Sequence, residues 1–378
     1  MFARSLGALI TACALMSTLS LCACQRVDSH PDDRAPSAVQ VRWQIPLYEH
    51  PTFTAFPKTT ASPQYANNGK IVVAGSDSGD VVAVWSHTGK VIWRFSTEGK
   101  VRSTPTIVDN TVYIGSSDGK FYAINLKTGT EEWDQPYKTI GAITSAPAVN
   151  DDRVVFQNNE NRSYALDRKT GAYAWDQGRP RPDFFTIRGE GGPTIVDNTV
   201  YAGYDDGMLV AMTAKDGATI WSKNLAANER HFVDVDTKPL VVGNTIYAGS
   251  FSVGMYAVGR KHGNVKWIHR AKGVHTPAYG QGLLFVATGE KELRALDPKT
   301  GKVQWRLKIG YGNLSSPVLS GNMLWISTGE VVLLVGPGNG SVHARLAPDD
   351  GQSAPVASSN GWVHMVTNSG SLVGSRVY

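Results

Sequence analysis

An all-β chain folded as an eight-bladed β-propeller of four-stranded blades is what this sequence predicts, and three observations carry the prediction. The first is a proline that recurs at Pro63, Pro105, Pro147, Pro193, Pro239, Pro277, Pro317 and Pro355, at intervals of 42, 42, 46, 46, 38, 40 and 38 residues. The second is a glycine followed four residues later by tryptophan, at Gly89 and Trp93, Gly129 and Trp133, Gly171 and Trp175, Gly217 and Trp221, Gly263 and Trp267, and Gly301 and Trp305; a seventh copy at Gly340 has Ala344 in place of the aromatic. Repeats of about 40 to 50 residues built from short β-type runs mark a propeller. The third observation lies at the two ends. The last repeat, from Pro355, stops at Tyr378 before a fourth strand, while Val41 to Ile45 is a tryptophan strand with no three strands before it. Each end lacks what the other has, so the N-terminal strand is predicted to complete the last blade and close the ring, leaving no long unpaired edge.

In chain order, the first segment is an address rather than structure. Arg4 precedes an almost uncharged apolar stretch, Leu6 to Leu21, the pattern of a signal peptide over residues 1–23. All three cysteines, Cys13, Cys22 and Cys24, fall in the first 24 residues, so the remaining chain has no internal disulfide and no thiolate metal site. Leu21-Cys22-Ala23-Cys24 resembles a bacterial lipobox. That resemblance implies lipidation at Cys24, ahead of Cys22, which follows a bulky Leu21, and of Cys13, which leaves too short an apolar region. Residues 24–39 then form the lipidated start and a polar tether without periodicity; its 15 residues from Gln25 to Val39 would span roughly 50 Å when extended.

The propeller is predicted over residues 40–378, and its clearest unit is Thr276 to Trp305. Thr276-Pro277 opens the innermost strand, where a missing ladder hydrogen bond is tolerated. Leu283 to Val286 and Leu293 to Leu296 supply two apolar strands around the turn Gly289-Glu290-Lys291, and Gly301 turns the chain into the outer strand that carries Trp305. Glycine suits that turn because positive φ costs it least. The equal spacing of the tryptophans points to packing between neighbouring blades rather than to a functional stripe.

Composition narrows the function. With 42% hydrophobic and 18% charged residues, the chain can bury a large core, and a formal charge of +5 without any Lys/Arg run gives no nucleic-acid footprint. No Gly-x-Ser-x-Gly elbow, His-Glu-x-x-His helix or phosphate loop is found, and the histidines are scattered singly. The unit Ala165 to Gly171 followed by Trp175, and Ala295 to Trp305, resembles the repeat of quinoprotein-type propellers. That group includes dehydrogenases using pyrroloquinoline quinone and many relatives with no cofactor. The adjacent cysteine pair of those dehydrogenases is missing from the mature chain, and no Ca²⁺-type acidic cluster is evident, so no cofactor, no metal and no catalytic residue are expected.

Function is then sought where the repeat stretches. The separation from tryptophan to the next proline is 18 residues after both Trp175 and Trp221 and 20 after Trp43, against 10 to 14 elsewhere. The two consecutive long connections should emerge on one face beside the fourth blade. They bring Phe185, Ile187 and Arg188 near Asp234 and Asp236, a combination that suits a protein-binding patch. An ion pair of Arg188 with an aspartate across the two loops, without any partner, reads the same residues equally well.

Phe185-Thr186-Ile187-Arg188-Gly189-Glu190 before Pro193, and Asp234-Val235-Asp236-Thr237 before Pro239, resemble the paired loop motifs of the BamB-like lipoproteins of outer-membrane β-barrel assembly. The resemblance extends over the whole mature chain. It implies a non-enzymatic scaffold, lipid-anchored at the periplasmic face of the outer membrane. It also implies that Phe185, Ile187, Arg188, Asp234 and Asp236 contact the POTRA domains of the central assembly protein, with unfolded outer-membrane proteins as further clients. Phe185 stands where leucine is usual, and His231-Phe232-Val233 before the acidic pair is a second departure. A quinoprotein-like oxidoreductase and a sugar- or peptide-binding periplasmic propeller are the alternatives.

Overall fold

The computed structural model describes residues 39–47, 61–182 and 191–378. The leader, Cys24, most of the tether, and Phe185, Ile187 and Arg188 lie outside the described residues. The described chain forms eight four-stranded antiparallel sheets, each meandering outward from an inner strand. Blade 4 is typical, with strands Thr194–Val196, Thr199–Gly203, Met208–Thr213 and Thr219–Asn224 in that spatial order. In every blade the innermost strand is short, at two or three residues, because it borders the narrow axis of the ring.

The two middle strands of each blade are buried on both faces, as in Ile71–Gly75 and Gly254–Gly259. They therefore read as continuous apolar runs rather than alternating ones. The reason is that each sheet packs against a blade on either side. Eight apolar clusters result among the described residues, one at each interface. Val73 and Val81 of blade 1 meet Ile114 and Tyr122 of blade 2 in one of them, and Val84 of blade 1 meets Leu372 of blade 8 in another.

The tryptophan and glycine marks prove to be two halves of one joint. The indole N–H of Trp175 in blade 3 donates to the Ala214 carbonyl of blade 4 at 2.9 Å, and the ring lies against Gly217 in the same blade-4 turn. The same joint recurs for Trp43 on Ser86, Trp93 on Leu126, Trp133 on Arg168, Trp221 on Arg260, Trp267 on Pro298 and Trp305 on Pro337. A Cβ on Gly217 would lie 2.8 Å from the Trp175 ring, so glycine is required by the neighbour's indole as well as by its own φ of 73°. The joint also accounts for Ala344. Its blade, the seventh, faces blade 8, whose outer strand comes from the other end of the chain. Blade 8 thus has no turn between third and fourth strands for an indole to dock on.

The ring closes as the sequence predicts. Val39–Pro46 pairs antiparallel with Ser371–Val377 as the outer strand of blade 8, from Val39 opposite Val377 to Pro46 opposite Ser371, with an irregularity between Val41 and Trp43. Behind the seam, His364 is fully buried. Its Nδ1 faces the Tyr65 hydroxyl at 2.5 Å and its Nε2 the Ser86 carbonyl at 2.9 Å. These partners assign the proton to Nε2, which donates to the carbonyl, while Nδ1 accepts from the phenol. Burial pushes the imidazole down to about 4, and His87 opposes its charge further.

Blade 2 departs from the regular unit. Its outer strand is only Tyr137–Lys138, joined upstream by an isolated bridge between Ile124 and Glu131. Pro136 has no N–H to give to the ladder, which shortens the pairing. Trp133 nevertheless stays buried between Tyr113 and Phe121.

Candidate functional site

Both kinds of connection that carry the candidate residues emerge on one face of the ring, by the alternation of strand direction in each blade. These are the links from outer strand to next inner strand, and the hairpins joining second and third strands. The first long connection leaves blade 3 at Arg179. Arg179 Nε donates to Asp206 at 2.6 Å, its guanidinium lies over the Tyr204 ring, and its backbone N–H donates to the Asn161 carbonyl at 3.0 Å. Asn161, almost fully buried at positive φ, donates from its amide to the Pro180 carbonyl and accepts the Asp205 N–H. One side chain thus ties the blade-3 hairpin, the blade-4 hairpin and the foot of the connection together. Arg181 adds a pair with Glu160 at 2.5 Å and a bond to the Asn159 carbonyl.

The second connection leaves blade 4 after Asn224 and is held on both sides. The Val235 N–H donates to the Tyr204 carbonyl of blade 4 at 3.1 Å, and the Phe251 N–H of blade 5 donates to the Asp234 carbonyl at 3.0 Å. Val233 and Val235 are buried, which is what pins the segment, while Phe232 between solvent and Phe251 is 42% exposed. The two connections touch at their ends: a Cβ on Gly191 would lie 2.2 Å from the Asp236 carbonyl oxygen. Beneath them the Tyr204 hydroxyl bonds Ser163 at 2.7 Å, and burial pushes that phenol up to about 12.

Asp234 and Asp236 are brought together, and a third carboxylate joins them. Oxygens of Asp205, Asp234 and Asp236 lie within 4.8 Å of one another. Asp234 is fully buried and the other two are half-buried, and each of the three carries further interactions. Three carboxylates this close repel unless a cation stands among them. A planar guanidinium, which pairs two carboxylates at once, and a small divalent metal are the cations that suit such oxygens. Asp205 escapes a reading by connection length, since it sits in a blade-4 hairpin, Tyr204-Asp205-Asp206-Gly207, of ordinary length. Its only signal is an acidic pair in a turn flanked by both long connections.

Comparison with known proteins places this geometry in a family. The family model described as outer membrane protein assembly factor BamB matches three successive stretches, residues 40–141, 137–279 and 269–361. This chain belongs to the BamB family. No curated protein sequence matches it significantly. Among solved structures, BamB from Moraxella catarrhalis superimposes with a TM-score of 0.76 at 20% identity, covering 89% of this chain and 99% of that one. The computationally designed Ika8 protein gives 0.70 at 16% identity, over 85% and 96%. The quinohemoprotein alcohol dehydrogenase ADHIIG from Pseudomonas putida HK5 gives 0.71 at 14%, over 91% of this chain and 77% of that one. At these identities the three structures share the propeller and nothing more specific.

Proposed function

We propose that this BamB-family chain is a non-enzymatic scaffold of outer-membrane protein assembly. It docks through the loop face around blade 4 on the POTRA domains of the central assembly protein, as part of the assembly complex. The observation that supports this reading best is the convergence of Asp205, Asp234 and Asp236 beside the exposed Phe232, on a connection hydrogen-bonded to blades 4 and 5. Family membership supports the assembly role. In this proposal Arg188 provides the guanidinium that the three carboxylates call for, and Phe185 and Ile187 supply apolar contact together with Phe232. Asp234, being fully buried, then acts by holding the arginine rather than by touching the partner. Cys24 carries the lipid that keeps the propeller at the periplasmic face of the outer membrane, and unfolded outer-membrane proteins are clients of the assembled complex.

The test is co-purification of the assembly protein with tagged chain from membranes. Arg188→Glu is expected to abolish recovery while the β-type circular dichroism stays intact, and Asp236→Arg is expected to do the same. Full recovery of the partner with either variant would overturn the docking site. Labelled palmitate entering the native chain but not Cys24→Ala checks the anchor separately.

A further inference from the structure

The face opposite the loop connections carries, by the same alternation of strand direction, the hairpins joining first and second strands and the turns joining third and fourth. The chain enters the fold on that side. Val39 pairs with Val377, whose N–H donates to the Gly361 carbonyl in the blade-8 hairpin. The segment that carries Cys24 therefore joins the propeller at this rim, beside the blade-1 turn on which Trp43 docks.

The rim of blades 8 and 1 is basic. Its strand ends, hairpins and turns, residues 39–42, 67–70, 85–91, 359–362 and 375–378, hold Arg42, Lys70, Lys90 and Arg376 and no Asp or Glu. The corresponding parts of blade 2 hold Asp109, Glu131 and Glu132 against Lys127. Arg42, Lys70 and Lys90 are exposed, and none of the four basic side chains joins an ion pair among the described residues. Two aromatic side chains share the rim: Trp85, 44% exposed, and Tyr378, 67% exposed with the Arg42 guanidinium over its ring. The Trp85 N–H donates to the Lys90 carbonyl and the next N–H, of Ser86, to the Lys70 carbonyl, which sets the indole's residue between the two lysines.

Trp85 is the odd residue of its turn. At the matching position blades 2, 3 and 6 carry Asn125, Asp167 and Asp297, each of which accepts N–H groups of the turn that follows. Trp85 has no such oxygen; its carbonyl alone takes the N–H groups of Thr88 and Gly89, and its ring belongs to neither apolar cluster of blade 1. Indole and phenol rings beside lysine and arginine are the side chains that settle at the headgroup level of a bilayer, and anionic headgroups attract the cations. An acidic protein could meet the charges as well. The point of chain entry favours the bilayer, since the lipid proposed at Cys24 is tied to this rim by no more than roughly 50 Å of chain.

We propose that the rim of blades 8 and 1 rests on a bilayer surface of anionic phospholipid, through Lys70, Lys90, Arg42, Arg376, Trp85 and Tyr378. The loop face and its acidic group are then turned away from the membrane. This rests on the anchoring proposed at Cys24 and is independent of the docking role.

Flotation with vesicles tests it, using the chain from Gln25 onward, which keeps the whole propeller and bears no lipid. The native protein is expected to float with phosphatidylcholine vesicles containing about 30% phosphatidylglycerol, to stay behind with phosphatidylcholine alone, and to be released by salt. A lysine near such a surface strengthens binding about fivefold, so Lys70→Gln with Lys90→Gln should weaken it at least tenfold. Lys261→Gln with Lys299→Gln removes the same charge from exposed turns of blades 5 and 6 on the same face, and should weaken it less than about threefold. Trp85→Asn installs the residue that blade 2 uses there, so it should fold normally and still lose at least about threefold in binding. No flotation with the anionic vesicles, or equal losses from the two double variants, would overturn the site. Either result would leave palmitate labelling at Cys24 and recovery of the assembly protein unaffected, and loss of those would leave vesicle binding unaffected.

Discussion

The interblade joint can be tested through Gly217 and Trp175. Gly217→Ala must place a Cβ at a φ of 73° and 2.8 Å from two ring carbons of Trp175. The backbone conformation costs a non-glycine residue about 1–3 kcal/mol, and overpacking against a buried ring adds about 1–3 kcal/mol. The single variant should therefore lose about 2–6 kcal/mol. Trp175→Ala removes a side chain that is 5% exposed, together with its bond to Ala214, and should lose about 3–5 kcal/mol. In the double variant the ring that Cβ would strike is gone, so only the backbone cost of the alanine remains. The combined loss should fall short of the summed losses by at least about 1 kcal/mol. Urea unfolding followed by circular dichroism and fluorescence, with coincident transitions, gives the cycle. Additive losses, within about 0.5 kcal/mol, would refute the claim that the glycine is there for the neighbour's indole.

Two further outcomes concern the seam. His364 is held at about 4 in the folded protein, below its ordinary 6.5. The unfolded chain therefore takes up the proton first; stability is complete above about pH 6.5 and falls by about 3 kcal/mol as pH drops to 4. His364→Phe, which supplies the aromatic that blade 6 carries as Phe285 at the same register, should flatten that part of the slope; identical urea midpoints against pH in both proteins would count against it. Removing residues up to Leu47 should leave Ser371–Val377 as an open edge, producing oligomers on gel filtration that a peptide of residues 39–47 added in trans reverses. A monodisperse truncated protein would contradict this.

The fold was legible because a propeller repeats its punctuation: eight prolines counted the blades, and the incomplete units at Val41 and Tyr378 announced each other. The pairing of glycine with the neighbouring tryptophan was not legible. The two partners are some 40 residues apart, Trp175 with Gly217 rather than with Gly171, and the glycine looked sufficient as a turn residue alone. The reason for Ala344 was hidden likewise, since it lies in the blade that follows. Blade 2 could have been read more closely, for Pro136 stands where the outer strand should run. At the candidate site, stretched spacing located Asp234 and Asp236. Asp205 was missed because a third carboxylate supplied by an ordinary hairpin becomes visible only when blades 3, 4 and 5 are placed side by side.

Site-specific photo-crosslinking in the intact cell envelope tests the central claim most directly. A photoreactive phenylalanine replaces Phe232 on the loop face in one strain. In a second it replaces Tyr173, 55% exposed at the opposite end of a blade-3 outer strand. The account predicts an adduct with the central assembly protein from position 232 and none from position 173. Adducts from 173 alone, or from neither position while the chain remains folded and abundant, would contradict it.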